Sequence, residues 1–276
     1  MRAALLQLTV SDDPAENRRE VLHRIKEAAD TGAQFVLTPE VTNVISPDPA
    51  HLAAVLQTED RDETLAALCD AARVYGITLV IGSLALRTDD PDGRYANRSF
   101  LIDPQGQIQA RYDKIHMFDV EISDAETYRE SDRYRPGVSA CLADAGFATL
   151  GMCICYDMRF PHLARDLAQA GADILTFPSA FSQVTGAAHW EPLLRARAIE
   201  TGCWVIAPAQ TGTHPTSHPK PRKTWGHSMV VDPWGEVRLD AGEAAGVYTV
   251  DLNLEMVDQA RRRVPALRHD RPYAKP

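Results

Sequence analysis

Four side chains in this sequence are of the types needed to open an acyl carbon–nitrogen bond: the thiol of Cys155, the carboxylates of Glu40 and Glu130, and the ammonium of Lys114. Attack by sulfur on an amide or nitrile carbon needs a base to take the thiol proton. It also needs a cation or a pair of N–H groups to hold the negative charge that develops. A Glu, a Lys and a Cys supply these roles without histidine or metal. Taken singly, each residue has a plainer reading. Cys155 is a buried small hydrophobe, Glu40 a solvated loop acid, Lys114 a surface lysine, and Glu130 one charge in a mixed run. On its own stretch, Cys155 leaves nucleophile and core filler both open.

That stretch runs from Phe147 to Leu163, FATLGMCICYDMRFPHL. An apolar run gives way to Cys155-Tyr156-Asp157. Pro161 then opens a segment with Leu163, Leu167 and Ala170 at helical spacing. The pattern predicts a buried strand, a tight polar turn and a helix. A cysteine at such a turn lies near backbone N–H groups and a helix N-terminus. Both predict a thiol pKa below the free value of about 8.5.

The elements around it repeat one theme. A first strand is predicted over Ala3 to Val10. Asp13-Pro14-Ala15-Glu16 then reads as an N-cap, a first-turn proline and a capping acid. Helix, glycine and short apolar strand follow in turn, giving strands at Phe35 to Leu37, Ile77 to Leu84, Ile174 to Phe177 and Trp204 to Ile206. GAQFVLTPE (Gly32 to Glu40) and GADILTFPS (Gly171 to Ser179) resemble each other, a hint of a duplicated α/β half. Asp103-Pro104-Gln105-Gly106 and Asp232-Pro233-Trp234-Gly235 predict hairpin turns. The mixture implies α/β layers with mixed sheets and helices outside. No linker divides residues 1–276, so one domain is expected. His214 to Lys223, HPTSHPKPRK, is a long basic loop. It is either a mobile flap or a tolerated insertion, with the insertion preferred.

Composition narrows the class. At 276 residues, 45% hydrophobic and 24% charged, the chain has ample material for a core. A net charge of −9 favours neither nucleic acid nor an anionic membrane surface. Five cysteines form an odd, sparse set that argues against a secreted disulfide framework. No apolar run approaches the roughly 20 residues that span a bilayer, and a cytoplasmic protein is expected. Two other chemistries fit the sequence less well. Cys153 and Arg159 have the C-x5-R spacing of cysteine phosphatases, but the loop between them holds Ile154, Tyr156 and Met158 and no glycine. Cys153 and Cys155 with His116 and His162 do not follow a standard zinc spacing.

Together the charged residues carry more than they do singly. Glu40 within FVLTPE, Lys114 within YDKIHMFD and Cys155 within CYDMRFP match, in order, the three signature motifs of the nitrilase, or carbon–nitrogen hydrolase, superfamily. The resemblance spans nearly the whole chain. PSAFSQVTGAAHWEPLLRARAIE and GHSMVVDPWGE look most like the Nit branch, and within it like amidases of deaminated glutathione. It implies a four-layer α-β-β-α sandwich, a homodimer or higher homo-oligomer, no metal and no cofactor. Cys155 would be the nucleophile and Glu40 the general base. Lys114 and the backbone N–H of Tyr156 would hold the oxyanion, and Glu130 would orient the lysine. Attack would give a tetrahedral intermediate, ammonia would leave, and water would hydrolyse the thioester. In the implied fold, the loop from Phe181 through Thr185 to Gly186 forms a pocket wall, and Arg159 and the basic loop residues Lys220, Arg222 and Lys223 are the expected sources of a cation for the substrate. The expected substrate is a small carboxamide, deaminated glutathione. The alternatives are an ω-amidase acting on α-ketoglutaramate and a degenerate binding scaffold. His162 stands where the branch commonly has Glu, which touches substrate detail rather than the four matched positions.

Overall fold

Alternation along the first strand divides the interior in two. Ala3 and Leu5 face one apolar cluster, Ala4 and Leu6 another, as the two-residue period of a strand buried on both faces requires. The computed structural model describes residues 1–123 and 126–274. Its first half runs β1 (Arg2–Gln7), α1 (Pro14–Asp30), β2 (Phe35–Leu37), α2 (Pro49–Val55), α3 (Glu63–Tyr75), β3 (Thr78–Leu86), β4 (Ala96–Ile102) and β5 (Ile108–Asp113). A hairpin, β6 (Asp119–Ser123) and β7 (Glu126–Arg129), follows. The second half runs β8 (Cys141–Asp144), β9 (Thr149–Met152), α4 (Pro161–Gln169), β10 (Ile174–Thr176), α5 (Gln183–Thr201) and β11 (Trp204–Ala207). It ends with β12 (Thr211–Thr213), β13 (Lys223–Trp225), β14 (Met229–Val231), β15 (Val237–Asp240), β16 (Gly246–Asp251) and α6 (Glu255–Arg263).

The strands form two six-stranded sheets, ordered β16-β1-β2-β3-β4-β5 and β15-β14-β11-β10-β9-β8. Each has three central parallel strands, β1, β2 and β3 in one and β9, β10 and β11 in the other. Antiparallel strands flank both sets. The two similar segments of the sequence become β2 and β10, the middle parallel strands of the two sheets, so the topology carries the same repeat. Leu5, Phe35, Leu37 and Val80 of the first sheet share a core with Leu150, Met152 and Ile174 of the second. The outer faces are covered by Val21, Ile25, Leu65 and Leu68 of α1 and α3 on one side, and by Leu163, Leu167, Leu194 and Ala198 of α4 and α5 on the other. This is the expected four-layer α-β-β-α sandwich. Among the described residues, no helix is long and apolar enough to cross a membrane.

The N-cap and the hairpin turns fall where predicted, but Glu16 closes no capping box: its Oε2 accepts from Ser11 Oγ at 2.9 Å, and Asp13 N donates to Ser11 Oγ at 3.2 Å. Asp13 accepts from Ala15 N and Glu16 N, and Gly106 N and Gly235 N close their turns on Asp103 O and Asp232 O. The hairpins β6–β7 and β12–β13 and helix α2 are additions, too short for periodicity to mark.

The basic loop is not an inert insertion. His214 is fully buried and closes its base: the backbone N donates to Arg222 O at 2.9 Å, and the ring nitrogens pair with Val10 O and Thr224 Oγ1, both at 2.8 Å. Lys220, Pro221 and Arg222 are thereby fixed over the cavity described below. Burial pushes the His214 pKa down from 6.5 to about 4, against the hydrogen bond to Val10. Between those values the unfolded chain binds the proton that the folded one does not, so stability falls as pH drops through that window. We expect His214→Gln to remove a loss on the order of 3 kcal/mol between pH 6.5 and 4. Denaturant titrations across that range check this; identical pH slopes for the two proteins would contradict it.

Candidate active site

Glu40, Lys114, Glu130 and Cys155 each lie just beyond the C-terminal end of a strand, β2, β5, β7 and β9 respectively. All four line one cavity of about 570 Å³. Side chains beyond strand ends are free of the sheet's pleat and can converge from different strands.

Lys114 is the hub. It is 2% exposed, and its Nζ donates to Glu40 Oε1 at 2.9 Å and to Glu130 Oε1 and Oε2 at 2.9 and 2.8 Å. Its backbone is held on both sides. Lys114 N donates to Asn97 O at 3.0 Å, and Lys114 O accepts from Gly137 N at 2.7 Å. Only glycine fits there, since a Cβ on Gly137 would stand 2.1 Å from Asp113 O. Glu40, 4% exposed, accepts from Asn97 Nδ2 at 2.9 Å as well, and its Oε2 accepts from Ala180 N at 2.8 Å. Glu130 Oε2 also accepts from Phe118 N at 2.6 Å.

The turn carrying Glu40 is gripped from β3. A register shift there places Ser83 Oγ to accept from Val41 N at 2.8 Å, while Ser83 O accepts from Thr42 N at 2.9 Å. Gly82, in the same shift, allows close approach: a Cβ would meet Thr38 O at 2.0 Å and Pro178 Cβ at 2.5 Å. Val41 and Cys155 both have positive φ, 49° and 48°. Such residues cost on the order of 1–3 kcal/mol each and persist where the surroundings over-determine them. For Cys155 those surroundings are Cys155 N donating to Pro178 O at 2.9 Å and the buried Asp157 below the turn. Asp157 accepts from Ile154 N, Tyr112 Oη and His116 N at 2.9, 2.7 and 3.1 Å, and pairs with His116 Nδ1 at 2.7 Å. The nucleophile turn is thus tied to the segment that carries Lys114. His116, weighed above as a metal ligand, is spent in this contact.

The electrostatics correct one expectation. Burial pushes the Cys155 pKa up, and the Glu40 charge pushes the same way against Lys114. The strand-end turn does not lower it, because the site is closed and holds two carboxylates to one ammonium. At rest sulfur keeps its proton. Burial would also raise Glu40, but the charge and hydrogen bond of Lys114 outweigh it and the carboxyl falls below its ordinary 4.5. Burial opposes the charge on Lys114, yet Glu130 and Glu40 hold its pKa well above 10.5. The site therefore rests as neutral thiol, two carboxylates and one ammonium. Cys153 is fully buried with its pKa pushed well up by burial, an inert thiol rather than a phosphatase nucleophile.

The substrate-side residues divide. Phe181 lines the cavity; Tyr156, Arg159 and Thr185 do not. The Tyr156 ring packs on Phe118 and Phe160, while its backbone N–H lies between two that are spent, Cys155 N on Pro178 O and Asp157 N on Ile154 O. Arg159 lies over the rings of Tyr156 and Phe181 and reaches His189 Nδ1 at 3.2 Å. Thr185 belongs to the first turn of α5, where its N–H donates to the Ser182 cap. Of the basic loop expected to supply a cation, Lys220 and Arg222 line the cavity and Lys223 does not. Asn97 and Ala180 are not marked in the sequence, and the role of Asp157 within its turn is not either, since each acts across many residues of sequence.

Residues 2–262 match the family described as carbon-nitrogen hydrolase. The chain is 39% identical to a deaminated glutathione amidase of Yersinia enterocolitica, over 97% of this chain and 92% of that one. It is 34% identical to a human omega-amidase, over 98% and 95%. In structure it superposes on the C. elegans NitFhit protein with a TM-score of 0.88 and 36% identity, covering 98% of this chain and 65% of that longer one.

The Lys114–Glu40 pair makes a signed prediction. With Glu40 held below its ordinary value, kcat/KM should stay flat through neutral pH and fall only below about pH 4.5. In Lys114→Met, burial acts on Glu40 against only the Arg222 charge and the Asn97 hydrogen bond. The acid limb should move upward while kcat falls by roughly 10² or more. A pH–rate profile of both proteins with the limb unmoved would contradict the assignment.

Proposed function

The chain belongs to the carbon-nitrogen hydrolase family, and on that premise we propose that it is a cysteine-dependent amidase whose substrate is deaminated glutathione. The observation that carries the reading is the single buried ammonium shared by Glu40 and Glu130 in the cavity that also holds Cys155. As the thiol attacks the amide carbon, its proton passes to the Glu40 carboxylate. The new oxyanion takes an N–H from Lys114 and the N–H of Tyr156. Lys114 has one to give when its contact with the two Glu130 oxygens is a single bifurcated bond. Glu40 returns the proton to the departing nitrogen, and the acyl group stays on sulfur as a thioester. Water, activated by Glu40, attacks the thioester; the acid leaves and sulfur regains a proton. Glu130 and Asn97 hold Lys114 and Glu40 in register throughout.

The expected release of ammonia does not hold for this substrate, because the leaving group follows from the amide that is cut. Both amide nitrogens of deaminated glutathione carry carbon, so an amine departs; ammonia would be released only from a primary amide such as α-ketoglutaramate. A cavity of about 570 Å³ sits within the range of pockets for drug-sized ligands, roughly 300–1,000 Å³. That suits a tripeptide-like molecule better than a five-carbon keto-amide. Relatives bearing both names are similar to the chain, the first at 39% identity and the omega-amidase at 34%.

We expect kcat/KM for deaminated glutathione to exceed that for α-ketoglutaramate, with primary amine and no ammonia appearing from the first. Amine and ammonia assays on both compounds decide it. Equal or reversed preference would make the ω-amidase reading the better one.

A further inference from the structure

The cavity carries a cation that the hydrolytic chemistry does not use. Arg222 sits on the loop closed by His214, lines the cavity beside Lys220, and is only partly exposed. Its Nη2 donates to Ala180 O at 2.6 Å. Its Nε is buried without an acceptor, and no carboxylate pairs with it among the described residues. Its charge reaches Glu40 only at a distance, and a half-buried guanidinium with no carboxylate in contact carries a desolvation penalty that a bound anion would offset. The other charges facing this end of the cavity do not serve. Glu126 accepts from Tyr128 Oη at 2.9 Å, over whose ring Arg222 lies, and Glu40 and Glu130 are engaged by Lys114. Arg133 donates to Pro47 O, and Lys220 is exposed at the loop tip.

Position gives the arginine its meaning. Ala180 bonds Glu40 through its N–H and Arg222 through its carbonyl. One residue therefore fixes the distance between the base and the cation. An anion held by the free N–H groups of Arg222 would be set at a fixed offset from the acid–base machinery. The chain as a whole bears a charge of −9, so a local cation is needed to draw an anionic substrate in.

We propose that Arg222 is the anchor for a carboxylate of the substrate and so determines which amides are turned over. This rests on the amidase reading of the same cavity. The chemistry that recognises the guanidinium is a carboxylate, which bidentate N–H donors fit. Two carboxylates qualify, one on the acyl part and one on the departing amine.

The experiment compares two matched pairs on wild type, Arg222→Gln and Arg222→Lys. The acyl arm sets glutaramate against pentanamide. The leaving-group arm sets deaminated glutathione against its glycinamide-terminated analogue. In wild type the carboxylate member of one pair should have the higher kcat/KM, chiefly through KM. In Arg222→Gln that preference should fall by roughly 10- to 100-fold, and Arg222→Lys should restore part of it. The pair that responds identifies the carboxylate. A purely structural role would lower both members alike, so unchanged ratios in both arms would overturn the anchor while leaving the amidase standing. No hydrolysis of any of the four compounds by wild type would instead overturn the amidase reading, and the anchor with it.

Discussion

One ammonium buried between two carboxylates is the constraint that the rest of this structure obeys. A charge as enclosed as that of Lys114 would be expelled or neutralised unless partners met it at hydrogen-bond distance. Glu40 and Glu130 do so from two different strand ends, and Asn97 bonds Glu40 from a third strand. Removing the ammonium would leave two buried carboxylates uncompensated, and removing either carboxylate would take away one of the two partners that fix the ammonium in place. The same arrangement explains the resting thiol. With two negative charges and one positive nearby, a thiolate at Cys155 would be a third anion in a closed site. The sulfur becomes nucleophilic only as its proton passes to Glu40.

Holding those groups in register has a backbone consequence. Val41 and Cys155 are both left-handed non-glycine residues next to or within the reacting set. Each is pinned by bonds from another element: Val41 by the shifted segment of β3, Cys155 by Pro178 beyond β10. The duplicated plan makes this possible. Two sheets, each with three central parallel strands, bring the loops after β2 and β10 together, and Gly82 lets them touch without an intervening side chain. The core between the sheets supplies the rigidity, and the strand ends supply the chemistry.

Much of this was legible in the sequence because it is local. The run from Phe35 through Pro39 to Glu40 states a strand and its end within six residues. Cys155-Tyr156-Asp157 before Pro161 states a turn and a helix. The layers followed from alternation and helical spacing. What could not be read depends on long-range closure. Asn97 lies 57 residues from Glu40, and Ala180 acts through a backbone N–H that no side-chain type betrays. The direction of the Cys155 pKa is hidden from the sequence for the same reason. A local turn argues for a lowered value, whereas the burial and the Glu40 charge that raise it come from the second sheet's closure on the first. The loop from His214 to Lys223 looked like an insertion because its composition is that of surface; only the buried His214 at its base shows that it is fixed over the site.

The central claim is that Cys155 carries the acyl group as a thioester while Glu40 moves the proton. Its most direct test is rapid acid quench of the wild-type enzyme during turnover of deaminated glutathione, followed by intact-mass measurement and peptide mapping. The account predicts an acyl adduct on Cys155 alone, released by hydroxylamine, and no turnover by Cys155→Ala. An adduct on any other residue, or turnover retained by Cys155→Ala, would contradict it.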